Sequence, residues 1–199
     1  IVPWQLLAKE KGVTLRFVPV EQDGTFDLEK VRAAMTPKTK LFTFTALSNA
    51  LGTVNPVQQL VGIGKAVGAP VLVDACQWAP HRAIDVGSWG ADFIAFSAHK
   101  MLGPTGLGVL WGREELLEAM DPFLGGGDMI QRVTLEKSTW NALPFKFEAG
   151  TPNFADAVAF GPALDYLNAV GLDALRAHEE ALAAPARGLL EAAPAVRGL

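Results

Sequence analysis

Short apolar runs alternate along this chain with stretches whose apolar residues recur every three or four positions. The runs cover residues 41–46, 70–73, 91–96 and 106–111. Each is too short for an ordinary helix and is bounded by turn formers, the pattern of a buried strand. An earlier run, 15–20, has the same character, with Pro19 marking its end or an edge position. The helical rhythm covers residues 2–10, then Leu28, Val31 and Met35, then Leu60, Ile63 and Val67. The punctuation agrees. Gly12 and Gly68 follow the first and third helices, Pro37 closes the second, Asp27 suits an N-cap and Pro56 suits a first turn.

Strands alternating with helices predict βαβ crossovers: an α/β fold with a mostly parallel sheet and helices on both faces. Ligands of such sheets collect beyond the carboxyl ends of the strands. Three polar groups fall at those ends: Ser48-Asn49, Asp74 with Gln77, and Ser97 with His99-Lys100. Past residue 111 a short helix is expected over 114–120, and then the texture changes. Gly125-Gly126-Gly127-Asp128 is a flexible loop, 133–147 reads as a hairpin or extended arm, and 148–153 is a polar turn. Val158, Phe160, Ala163, Leu164 and Leu167 predict a buried helix over 154–170. A second, Ala-rich helix is expected over 172–193, kinked or broken at Pro185.

At 199 residues, half of them hydrophobic and 19% charged, the chain has the composition of one folded domain. A net charge of -4 provides no basic footprint for nucleic acid. No apolar run reaches membrane-spanning length, and no signal peptide opens the chain. Cys76 is the sole cysteine, which excludes an internal disulfide and fits a reducing cytoplasm. The chain enters a helix directly from Ile1 and stops at Leu199 just after another, so both ends read as cut from a longer protein.

Lys100 follows an apolar strand, where an unpaired charge is costly. One chemical resolution is an amine that binds the aldehyde of a cofactor. Pyridoxal phosphate requires such a lysine, together with an acid at its pyridinium nitrogen. Asp74 is the candidate acid. Gln77 can donate to the phenolic oxygen, and Ser97 and His99 to the phosphate. Taken singly, Lys100 also reads as a loop lysine, Asp74 as a cap and His99 as a packed side chain. Other chemistries fit less well. His81, His99 and His178 lack ligand spacing with Cys76 or a carboxylate, so no metal is expected. Gly62-Ile63-Gly64 and Gly103-Pro104-Thr105-Gly106 lack the strand–turn–helix order of a dinucleotide loop, and no Gly-Lys-Ser/Thr follows Gly127.

Four segments occur in the order seen in class V aminotransferase-fold enzymes. They are Val73-Asp74-Ala75-Cys76-Gln77, Phe96-Ser97-Ala98-His99-Lys100, Gly103-Pro104-Thr105-Gly106-Leu107-Gly108 and Phe147-Glu148-Ala149-Gly150-Thr151-Pro152-Asn153. With Ile1-Val2-Pro3-Trp4-Gln5, Ser48-Asn49-Ala50-Leu51-Gly52-Thr53, His81-Arg82-Ala83-Ile84-Asp85-Val86 and Gly125-Gly126-Gly127-Asp128-Met129-Ile130, the chain resembles the SufS-type (group II) cysteine desulfurases. The resemblance implies a fold type I large domain, incomplete at both ends. Residues 1–171 would be its central and C-terminal part, and 172–199 a helix leading to a small C-terminal domain. It implies Lys100 as the Schiff-base lysine, Asp74 as the pyridinium partner, Gln77 at the phenolic oxygen, and Ser97 and His99 at the phosphate. It places Asn49 near the substrate amine and ring. It gives Thr151 a phosphate contact in the neighbouring subunit of a homodimer, with the 125–130 arm near that interface.

The implied reaction converts L-cysteine to L-alanine and passes sulfur to an enzyme thiol, then to an acceptor protein for iron–sulfur cluster assembly. By the same resemblance, that thiol and the substrate-carboxylate arginines fall beyond Leu199. A ring-stacking histidine and a phosphate-binding Gly/Thr loop fall before Ile1. Cys76 is not the sulfur acceptor by position and reads as a small buried side chain. Another class V lyase or aminotransferase, or a non-catalytic structural fragment, are the alternative readings.

Overall fold

The computed structural model describes residues 1–193. Four strands form one sheet in the order β1 (Phe42–Thr45), β2 (Val71–Asp74), β3 (Phe93–Ser97) and β4 (Gly108–Gly112). β1, β2 and β3 are parallel, and β4 returns antiparallel to β3. The parallel part is wound by α2 (Leu28–Ala34), α3 (Val57–Ala66) and the short α4 (Val86–Trp89). Asp27 caps α2 as expected, its Oδ1 accepting from the backbone of Glu29 at 2.8 Å and Lys30 at 3.3 Å. α1 (Val2–Lys11) precedes them and ends at Gly12, whose positive φ suits a left-handed cap.

Strand periodicity sorts the sheet into two faces. Phe44, Val71, Val73 and Ile94 are buried against Val31, Val57, Leu60, Val61, Ile63 and Trp89 of the helices. The opposite face carries Thr45, Asp74, Ala95 and Ser97, all half-buried. The apolar face therefore anchors the sheet, and the polar ends of β2 and β3 project from its other side.

Two expectations are corrected here, and a third, a helix kinked or broken at Pro185, loses only the break. Residues 15–20 form no strand; Phe17 and Val20 are exposed, and among the described residues the segment joins no ladder. β-structure needs a partner that periodicity cannot supply. The helix α6 (Phe154–Val170) buries Phe160 and Leu167 but leaves Phe154 and Val158 exposed, at 65% and 74%. The helix α7 (Leu172–Ala192) runs through Pro185 without ending. It buries no residue, so a carbonyl released by the proline remains open to water. Positions 194–199 of the expected terminal segment lie outside the described residues. Among the described residues no helix is long and apolar enough to cross a membrane.

The 114–120 helix is α5 (Glu114–Ala119), and the expected hairpin pairs β5 (Ile130–Val133) with β6 (Ser138–Trp140). After it, Lys146 is 6% exposed, the buried lysine of the described chain. Its Nζ donates to the carbonyls of Leu117 at 3.1 Å and Glu118 at 2.8 Å, at the end of α5. Leu117 O also accepts from Met120 N–H at 3.3 Å, and the ammonium adds a second donor there and one at Glu118, completing the helix terminus. Lys146→Met in the full-length protein is expected to lower the apparent unfolding free energy by about 1–3 kcal/mol, the cost of leaving buried polar groups unpaired. Urea unfolding measures it, and an unchanged midpoint would contradict this role.

Candidate active site

The register aligns the strand ends that carry the polar groups. Thr45 lies opposite Asp74, and Asp74 opposite Ala95. Because these strands are parallel, the segments following all three emerge at one edge. That edge carries Asn49, Asp74, Gln77, Ser97, His99 and Lys100.

Each segment is shaped by its own backbone bonding. After β1, Ala46 N–H donates to Asp74 O at 2.8 Å, holding the exit beside β2. The Ser48 hydroxyl accepts from Leu51 N–H at 3.1 Å and turns the chain, which leaves Asn49 exposed. Asn55 is buried; its Nδ2 donates to Thr45 O at 2.7 Å and its N–H to Ala46 O at 2.9 Å. It closes the loop that presents Asn49. The sequence reading passed over it, although an Asn directly before the helix-starting Pro56 is a recognisable boundary.

After β2, Asp74 Oδ1 accepts from Cys76 N–H at 2.9 Å. No described residue hydrogen-bonds Oδ2, so this oxygen remains an acceptor for a ligand. Gln77 follows, half-buried. Farther along, His81 Nδ1 lies 2.8 Å from Glu179 Oε1, tying this segment to α7.

After β3, the chain makes a 3₁₀ turn, Ala98–Met101. Ala98 is buried, His99 exposed and Lys100 half-buried. The turn carries Lys100 off the strand and leaves it partly open. Among the described residues its Nζ has no hydrogen-bond or ion-pair partner. α6 packs on this turn at Gly103. A Cβ there would lie 2.6 Å from Phe160 Cδ2 and 3.0 Å from the carbonyl of Ala98, so only glycine admits the contact.

Cys76 links two of these segments. Its Sγ lies 3.5 Å from Ser97 Oγ. Burial pushes the thiol above its usual range; the Ser97 bond opposes this, Asp74 adds to it, and Lys100 draws it down. Cys76 thus senses both the candidate acid and the candidate amine. Thr151 stands apart. It is exposed on a loop whose neighbour Gly150 donates its N–H to Gly127 O at 3.0 Å. The two polar loops thereby meet each other. A Cβ at Gly126 would lie 2.8 Å from Gly150 N, which requires glycine at that approach.

Two cavities lie elsewhere. One, of about 460 Å³, includes Arg32, Gln59 and Ile63 between α2 and α3. The other, of about 340 Å³, includes Ile84, Phe96, Trp111 and Leu172. Neither is lined by a predicted site residue. The strand-end edge is positioned by register.

A carboxylate, a hydroxyl and an amine thus follow adjacent strands of one sheet. Residues 1–199 fit the family described as Aminotransferase class-V. The chain belongs to that family. This class-V chain is 54% identical over 182 residues to a probable cysteine desulfurase of Streptomyces coelicolor, covering 92% of this chain and 44% of that protein. It is 46% identical over 198 residues to a cysteine desulfurase of Dickeya dadantii, covering 99% and 48%. The structure of the cysteine desulfurase CsdA (S-sulfonic acid) from Escherichia coli aligns with a TM-score of 0.93 at 34% identity, over 98% of this chain and 49% of that one. This class-V chain therefore spans somewhat under half the length of these relatives.

Proposed function

We propose that this chain forms the cofactor-holding part of a pyridoxal-phosphate-dependent cysteine desulfurase of the SufS type, acting as a homodimer in the cytoplasm. Residues 1–171 belong to its large domain, and 172–199 lead towards a smaller one. The observation that carries this reading is the emergence of Asp74, Ser97 and Lys100 from adjacent parallel strands at one edge, in a chain about half identical to named cysteine desulfurases. The donor set suits the cofactor. Asp74 retains an open carboxylate oxygen for a protonated ring nitrogen. Gln77 offers an amide to the phenolic oxygen, and Ser97 and His99 offer donors to a phosphate. Lys100 has an amine with no competing partner.

Bound pyridoxal phosphate supplies an electron sink for the electrons left at the substrate Cα. The residues of this chain do the remainder. Asp74 holds the positive charge at the ring nitrogen. Lys100 anchors the cofactor, then takes and returns the proton at Cα. Asn49 lines the substrate side, and Thr151 reaches the phosphate of the neighbouring subunit. Sulfur leaves L-cysteine for a thiol elsewhere in the full-length protein, then for an acceptor protein in iron–sulfur cluster assembly, with L-alanine as the other product.

The test uses the full-length protein loaded with pyridoxal phosphate and given L-cysteine and a thiol reductant. Alanine and sulfide are expected in equal amounts. Pyruvate and ammonia in place of alanine would make the protein a lyase and overturn the desulfurase reading.

A further inference from the structure

We infer that Cys76 is a positioning residue: it donates its S–H to Ser97 Oγ and so turns the Ser97 hydroxyl proton outward to a phosphate. The inference rests on the reading of the strand-end edge as a pyridoxal phosphate site. Its geometric basis is the 3.5 Å separation of Cys76 Sγ and Ser97 Oγ, between segments 21 positions apart. A single hydroxyl proton must go either to sulfur or to a ligand. Sulfur is a weak acceptor, whereas a hydroxyl oxygen accepts well. The favourable arrangement is S–H to oxygen, with the O–H left for an anion, where the hydrogen bond is roughly twice as strong.

Burial holds the thiol above its usual range; the Ser97 bond opposes this and Asp74 adds to it. A geometric observation supports the contact. The backbone on each side is fixed. Cys76 N–H donates to Asp74 Oδ1, and Ser97 pairs with Gly108 at the end of β3. The thiol therefore joins the segment of the candidate acid to that of the candidate phosphate donor. Its place is set by the acid it follows, which gives this cysteine a use other than sulfur transfer.

The experiment measures the dissociation constants of pyridoxal phosphate and of pyridoxal, which lacks the phosphate, for the full-length protein. Wild type, Cys76→Ala, Cys76→Ser, Ser97→Ala and the Cys76→Ala/Ser97→Ala double variant are compared. Cys76→Ala is expected to weaken pyridoxal phosphate about fivefold and leave pyridoxal unchanged. Cys76→Ser restores an O–H donor and is expected within about twofold of wild type. In the Ser97→Ala background, removal of Cys76 is expected to add nothing. Equal weakening of both ligands, no weakening, or full additivity overturns the inference while leaving the cofactor reading intact. A wild type that binds no pyridoxal phosphate overturns both.

Discussion

Lys100→Ala is expected to lower cysteine turnover by about 10³-fold and to leave the fold unchanged. The pairing of those two outcomes follows from where the side chain sits. Lys100 lies in the 3₁₀ turn after β3, half-buried, and its Nζ has no partner among the described residues. Truncation removes an amine without breaking a hydrogen bond, and buried Ala98 continues to hold the turn. Surface-type truncations of this kind change stability by about 0.5 kcal/mol or less. The loss is then chemical: the anchor for the cofactor and the carrier of the Cα proton disappear together. Turnover, a thermal melt, and mass spectrometry after borohydride treatment with pyridoxal phosphate measure the three parts. Retention of the covalent mass increase in Lys100→Ala would assign the anchoring amine elsewhere.

The opposite behaviour is expected at Asp92. Asp92→Ala is expected to lower the apparent unfolding free energy of the full-length protein by about 3 kcal/mol. The side chain is 3% exposed. One oxygen pairs with Lys65 Nζ of α3, and Oδ2 accepts from Val71 N–H at 2.7 Å. The backbone of the same residue donates to Val71 O at 2.9 Å and accepts from Arg113 N–H at 3.0 Å. One residue thus joins the starts of β2 and β3, the end of β4 and the end of α3. Truncation strands the Val71 amide without water and removes the counter-charge of Lys65. Asp92→Asn keeps an acceptor for Val71 and is expected to lose roughly half as much. Denaturant unfolding reads both, and equal stability of Asp92→Ala and wild type would show that the pair contributes nothing net.

Three lysines show how far the residues could be read unaided. Lys100 stood out because it follows an apolar run, and it lies on the shared edge of the sheet. Lys146 did not stand out, yet it is the buried one. Its partners are carbonyls 28 and 29 positions earlier. Lys65 lies in the last turn of α3, and its partner Asp92 is 27 positions away. A side chain's own neighbours in sequence carry no trace of such contacts.

The sequence by itself determined the elements whose cause is local. The apolar runs at 41–46, 70–73, 91–96 and 106–111 became the strands at 42–45, 71–74, 93–97 and 108–112, Asp27 a cap and Gly12 a helix stop. It also determined the order strand–helix–strand, and with it the shared edge where Asp74, Ser97 and Lys100 emerge. Tertiary structure decided whatever required a distant partner. It left 15–20 outside the sheet, turned β4 antiparallel and kept much of α6 in solvent. It joined Cys76 to Ser97 and brought the 125–128 loop to Gly150. The physical reason is the range of the forces involved. Backbone propensity and periodicity act over one or two turns, whereas ladder pairing, burial and side-chain hydrogen bonding exist only once remote segments meet.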